Sequence, residues 1–269
     1  MTDYNTVLYE IGGPDGAVCT ISMNRPEQRN AINVEMAGEL LDAFTRVRDE
    51  KAVKVVVLTG AGKSFCAGGD LSVLPTFDHY TVVDWMGRTG LDIVRAITES
   101  EKVVVAKVKG HCIAGGLELA LACDLIYASE RTKFGVTEIT MGILPGWGGT
   151  VRLARSLPIF RGREILLSGR KDYTAREFYD MGLLTRVYPE DEFDAGVDAM
   201  VATLAANPAD SLRMGKAVMN YSFQGLPWDA AMAIERQAVA WLFHSEHTSN
   251  LRAIALQALE AMQKKGDEA

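Results

Sequence analysis

Apolar positions in this chain change their spacing about halfway along, and the change divides it in two. In the first part, short apolar runs alternate with stretches of helical spacing. Val7 to Ile11 and Ala17 to Met23 read as strands joined by Gly12-Gly13-Pro14-Asp15-Gly16, residues that suit a tight turn. Asn33 stands as a helix N-cap, with Met36, Leu40, Leu41 and Phe44 on one face through to about Asp49. Val53 to Thr59 is almost continuously apolar and β-branched, as in a strand covered on both faces. A helix around Thr81 to Thr98, a strand at Val103 to Val108, a short helix after Gly115 and a strand at Leu125 to Ala128 continue the alternation. Such alternation predicts parallel pairing through crossover connections.

After Thr150 the spacing is helical throughout. Arg152 to Ser156, Gly162 to Leu167 and Ala175 to Met181 read as short helices, and longer ones follow Glu192, including Trp228 to His244 and Ser249 to Lys264. The expected organisation is an α/β core over residues 1–195 that carries the site, and a helical region over residues 196–269.

Composition narrows the classes. With 48% hydrophobic residues, 269 residues suffice for one substantial core. A formal charge of −7 gives no general attraction to nucleic acid or to an anionic membrane, so any anionic ligand must be held by local groups. No stretch approaches the roughly 20 apolar residues of a membrane span, and residues 1–10 lack the basic and apolar parts of a secretory signal. Cys19, Cys66, Cys112 and Cys123 show no CxxC spacing, which points to reduced thiols and a cytoplasmic setting. His244 and His247 lie three apart with no third ligand nearby in sequence, so no metal site is expected.

The sharpest chemical signal is Glu118. It sits inside Ala114-Gly115-Gly116-Leu117-Glu118-Leu119-Ala120-Leu121-Ala122, an apolar run where a carboxylate is costly unless it is paired or neutralised. A second glutamate, Glu138, follows in Phe134-Gly135-Val136-Thr137-Glu138-Ile139, and two further glycine turns flank the pair, Phe65-Cys66-Ala67-Gly68-Gly69-Asp70-Leu71 and Pro145-Gly146-Trp147-Gly148-Gly149. Taken residue by residue, each turn also reads as a tight bend, and each glutamate as a buried group bonded to backbone donors.

Those segments, together with Asn24-Arg25-Pro26-Glu27-Gln28-Arg29-Asn30-Ala31, resemble the enoyl-CoA hydratase/isomerase family, the crotonase superfamily, over nearly the whole chain. The resemblance implies an α/β fold, a spiral of ββα turns with two roughly perpendicular sheets, and a C-terminal helical region that forms homotrimers, often paired into homohexamers. It implies an acyl-CoA thioester as substrate and no separate cofactor or metal. Gly69 and Gly115 match the positions whose N–H groups polarise the thioester carbonyl, and Glu118 and Glu138 match the two acid/base positions of the hydratases. Gln28, Arg29, Ala67, Asp70, Leu71, Gly146 and Trp147 match the path of the coenzyme A and acyl groups; for Arg29 a solvated surface cation is the competing reading. Trp147 stands where a small residue is usual, and either walls the acyl pocket or turns into the core or a subunit contact. Residues 72–88, with His79, Tyr80, Trp85 and Met86, are expected to cover that pocket.

The resulting expectation is reversible syn hydration of a 2-enoyl-CoA. Two alternatives stay open: another reaction on the same scaffold, such as double-bond isomerisation or hydration followed by thioester hydrolysis, and a non-catalytic acyl-CoA-binding scaffold.

Overall fold

The computed structural model describes residues 4–267. β1 (Val7–Gly12) and β2 (Val18–Met23) form an antiparallel hairpin, with Val7 opposite Met23. The chain then runs through α1 (Val34–Arg46), whose first turn is capped by the Asn33 side chain accepting from the Met36 N–H, into β3 (Val55–Gly60), which lies parallel to β2. Met36, Ala37, Leu40, Ala43 and Phe44 form the buried stripe of α1, at the spacing that a helix covering a sheet requires.

The helix expected over residues 81–98 runs without a break from His79 to Thr98 and contains one π-helical turn. α2 (His79–Asp84) is followed by one π-helical turn, Trp85–Gly90, and then by α3 (Leu91–Thr98). β4 (Val103–Val108), β5 (His111–Ile113), α4 (Gly115–Ala122), β6 (Leu125–Ser129) and β7 (Lys133–Gly135) follow in close succession. Beyond them come α5 (Gly149–Ser156), α6 (Ile159–Ser168), β8 (Tyr173–Thr174), α7 (Ala175–Asp180), β9 (Arg186–Tyr188) and α8 (Phe193–Ala205).

The strands make two sheets. One has six strands in the order β1-β2-β3-β4-β6-β9, parallel from β2 onward; the other has three, β5-β7-β8. Both faces of β3 and β4 are covered, which is why their sequences are apolar with little alternation. The smaller sheet is backed by Phe134 stacked on Phe178 at 4.6 Å between ring centres.

Two single bridges extend this framework to the segment of residues 64–70. Cys66 pairs with Cys112 on one side, and Gly69 pairs with Ile32 on the other.

The polypeptide packs as two units, one ending at Ala206 and the other beginning at Asn207. The boundary expected at 195/196 lies inside α8. Phe193, Val197, Val201 and Ala205 recur every fourth residue along that helix and bury against the six-stranded sheet, which keeps it in the first unit. The second unit consists of α9 (Ala209–Phe223), α10 (Trp228–Phe243) and α11 (Glu246–Asp267). No described helix is long and apolar enough to cross a membrane.

Candidate active site

α4 begins on a strained residue. Ala114 precedes it with φ 52° and ψ −126°, outside the comfortable regions for a residue with a Cβ. The turn this creates aims the start of the helix at the segment of residues 64–70. The second helical residue has to be glycine, because a Cβ on Gly116 would stand 2.5 Å from the Cys66 carbonyl oxygen.

Gly115 is therefore the first residue of a helix, where an N–H has no partner within the helix and the helix dipole adds partial positive charge. Gly69 reaches the same place from the other side. Ile32 donates to the Gly68 carbonyl and accepts from the Asp70 N–H, so the intervening Gly69 amide faces away from Ile32. Its nitrogen lies 3.7 Å from where a Cβ on Gly115 would stand. The Gly69 and Gly115 backbones thus lie close together.

Glu118 is one turn further along α4 and is 4% exposed. Its Oε1 accepts from the Trp147 N–H at 2.7 Å and the Gly149 N–H at 2.8 Å, both from the turn that leads into α5. Burial pushes the Glu118 carboxyl up to about 7; the Gly149 amide opposes that rise, and the charge of Glu138 adds to it. Glu138, 6% exposed, starts a 3₁₀ turn, Glu138–Met141, directly after β7. Burial raises its carboxyl as well, and its Oε2 is buried with no hydrogen-bond partner among the described residues.

Both carboxyls and both glycines border one cavity of about 570 Å³. Ala67, Asp70, Leu71, Gly146 and Trp147, which the family resemblance assigned to the ligand path, border it too. Asp70 does so with its side chain already engaged: it accepts from the Ser72 hydroxyl at 2.7 Å and pairs with Arg25 at 2.8 Å, contacts that hold its carboxyl low. Trp147 belongs both to the cavity wall and to the hydrophobic core, so the two readings of that residue coincide.

Gln28 and Arg29 do not border the cavity. Both are exposed, and the Arg29 carbonyl accepts from the Ala67 N–H beside the opening. From residues 72–88, Val73, Phe77, His79, Val82, Trp85 and Met86 line the cavity. Ala114, Thr137, Met141, Ile143 and Leu144 also line it without having been singled out as ligand contacts. Apart from the apolar character of Ile143 and Leu144 beside a glycine turn, their sequence carried no signal of it. Asn30 was missed as well: fully buried, it donates from Nδ2 to the carbonyls of Ala61, Ser64 and Phe65, and so ties the turn after β2 to the segment that carries Gly69. Among the described residues, no group of three histidine, cysteine or acidic side chains is placed to hold a metal ion.

Known proteins resemble the chain along nearly its whole length. The chain is 33% identical to a crotonyl-CoA hydratase of Syntrophomonas wolfei, over 90% of its own length and 92% of the relative's. It is 30% identical to a short-chain-enoyl-CoA hydratase of Clostridium acetobutylicum, covering 91% and 92%. Among solved structures, an enoyl-CoA hydratase from Bacillus anthracis superposes with a TM-score of 0.86 at 29% identity, over 97% of each chain. The sequence profile described as enoyl-CoA hydratase/isomerase matches residues 13–263, and the chain belongs to that family.

Proposed function

We propose that the chain is a 2-enoyl-CoA hydratase. The observation that carries this reading is the pair of buried carboxyls bordering the same cavity as Gly69 and Gly115, with one carboxyl raised to about 7. Adding water to an α,β-unsaturated thioester requires a base for the attacking water, an acid for Cα and donors for the oxygen that becomes negative in between. Glu118, held by the Trp147 and Gly149 amides, takes a proton as the water oxygen bonds to Cβ. The double-bond electrons move towards the carbonyl oxygen, which the N–H groups of Gly69 and Gly115 stabilise. Glu138, whose carboxyl burial raises, carries the proton that goes to Cα as the thioester carbonyl re-forms. The reverse sequence dehydrates the product, and neither direction draws on a metal or redox cofactor.

Delivery of the water and the proton by two carboxyls that border one cavity is this reading's account of syn addition. Gln28 and Arg29, exposed next to Ala67, are the residues assigned to the nucleotide end of coenzyme A. A homotrimer or homohexamer is part of the reading, supported by the exposed Met219, Trp228, Trp241 and Phe243 of the helical unit. So is a cytoplasmic setting, supported by four free thiols.

The test is turnover of crotonyl-CoA, followed by loss of the enoyl-thioester absorbance with free thiol assayed in the same sample. Absorbance loss without thiol is the expected result. Thiol release in step with it would replace hydration alone by hydration followed by hydrolysis, and no absorbance loss with any 2-enoyl-CoA would sink the reading.

A further inference from the structure

The cavity has an open end and a closed one. Leu71, His79 and Leu144 border it and are exposed, so they mark the mouth. Trp85 and Trp147 also border it, yet are only 8% and 3% exposed. A charged nucleotide has to remain in water at the mouth, so the acyl end of a thioester is the part that reaches the closed end.

That end is a wall of packed rings. Trp147 lies 5.7 Å from Trp85, and Trp85 lies 5.6 Å from Phe77, between ring centres. One edge of Trp147 stands 3.7 Å from where a Cβ on Gly115 would be, so the wall begins beside Gly115. The other edge leaves no space: a Cβ on Gly90 would fall 1.7 Å from Trp147 Nε1. The indole fills the gap between the start of α4 and the π-helical turn from side to side. Its N–H is buried without a partner among the described residues, so shape rather than hydrogen bonding fixes the ring. Met86 packs against Gly146, the neighbouring residue, and seals the wall beside it.

We propose that Trp147 is the specificity-determining residue of this site, a stopper that admits short acyl chains and rejects long linear ones; the inference rests on reading the cavity as an enoyl-CoA site. An open apolar pocket would tighten binding about fourfold for each added methylene. A closed wall reverses that trend, because further carbons meet packed rings that cannot yield without strain.

Butyryl-, octanoyl- and dodecanoyl-CoA are saturated at the reacting carbons, so calorimetric titration with them reads binding without turnover. Wild-type protein is expected to bind butyryl-CoA at least about tenfold more tightly than dodecanoyl-CoA, and Trp147→Ala to shift that ratio towards the long chain by at least about tenfold. Affinity that climbs steadily with chain length in the wild type, or a ratio that Trp147→Ala leaves unchanged, overturns the proposal. Because no turnover is needed, a protein that shows the binding ratio but hydrates nothing would count against hydration and for the stopper. Should Trp147→Ala fail to fold, the same titrations use Trp147→Leu, with Gly90→Ala made in both backgrounds. Gly90→Ala is expected to lower the melting temperature much more in the wild type than beside Trp147→Leu; equal losses would overturn the placement of the ring.

Discussion

The backbone amide of Trp147 donates to Oε1 of Glu118 at 2.7 Å, so the residue whose ring closes the cavity also restrains its central carboxylate. The Gly149 amide holds the same oxygen. One short turn therefore governs both how deep the cavity is and which way Glu118 points, and substitutions in it should alter selectivity and rate together.

Glu118→Gln and Glu138→Gln each remove a proton carrier while keeping the shape of the side chain. Each is expected to lower kcat on crotonyl-CoA by at least ~10²-fold, with acyl-CoA affinity changed by less than about tenfold. Steady-state kinetics together with butyryl-CoA titration check this. Undiminished kcat in either variant would remove that residue from the mechanism.

Stability should depend on pH through Glu118. Its carboxyl is raised from 4.5 to about 7 in the folded state, so folding favours the protonated form. Stability is fullest below pH 4.5 and falls as pH rises towards 7, by about 3 kcal/mol at roughly 1.4 kcal/mol per tenfold change in proton affinity. Glu118→Gln lacks this loss. Denaturant midpoints should therefore show the variant gaining on the wild type between pH 5 and pH 8, and parallel curves would contradict the raised proton affinity.

Gly116→Ala forces a Cβ to within 2.5 Å of the Cys66 carbonyl oxygen, where backbone faces backbone. The expected cost is about 1–3 kcal/mol, or a fall of roughly 3–10 °C in melting temperature. Activity should drop further than stability alone explains, because the Gly69 segment has to move. A variant with wild-type melting and turnover would mean that α4 does not sit this close.

Ala114→Gly tests the strain in front of α4. Relief of the positive φ gains about 1–3 kcal/mol, and the added freedom of glycine in the unfolded chain takes back about 0.4–1 kcal/mol. A net gain of about 1 kcal/mol in chemical denaturation is expected. A net loss would show that Ala114 is not strained.

Much of this was legible in the residues, and the misses have physical causes. Long apolar runs such as Val103 to Val108 announce buried strands, and Asn33 announced the start of α1. Strands of two or three residues, as in β5, β7, β8 and β9, are too short to show any period. The π-helical turn was missed because apolar spacing across Thr81 to Thr98 fits one continuous helix; the Trp147 ring lies against the turn's last residue, Gly90, a contact between positions far apart in sequence. Glu118 and Glu138 were visible because an acid in apolar company is costly and asks for a reason. Gln28 and Arg29 rested on similarity alone, and they lie outside the cavity wall.

The segment that carries Gly69 is paired on both flanks, to Ile32 on one side and to Cys112 on the other. A strip held along both edges behaves like an interior strand even though it is a loop, so it opens only when its neighbours do. The Gly69 side of the cavity is thus a product of folding, in place before any ligand arrives. Any adjustment to a ligand is therefore expected in the covering residues 72–88, and differences in association rate among ligands should be written there.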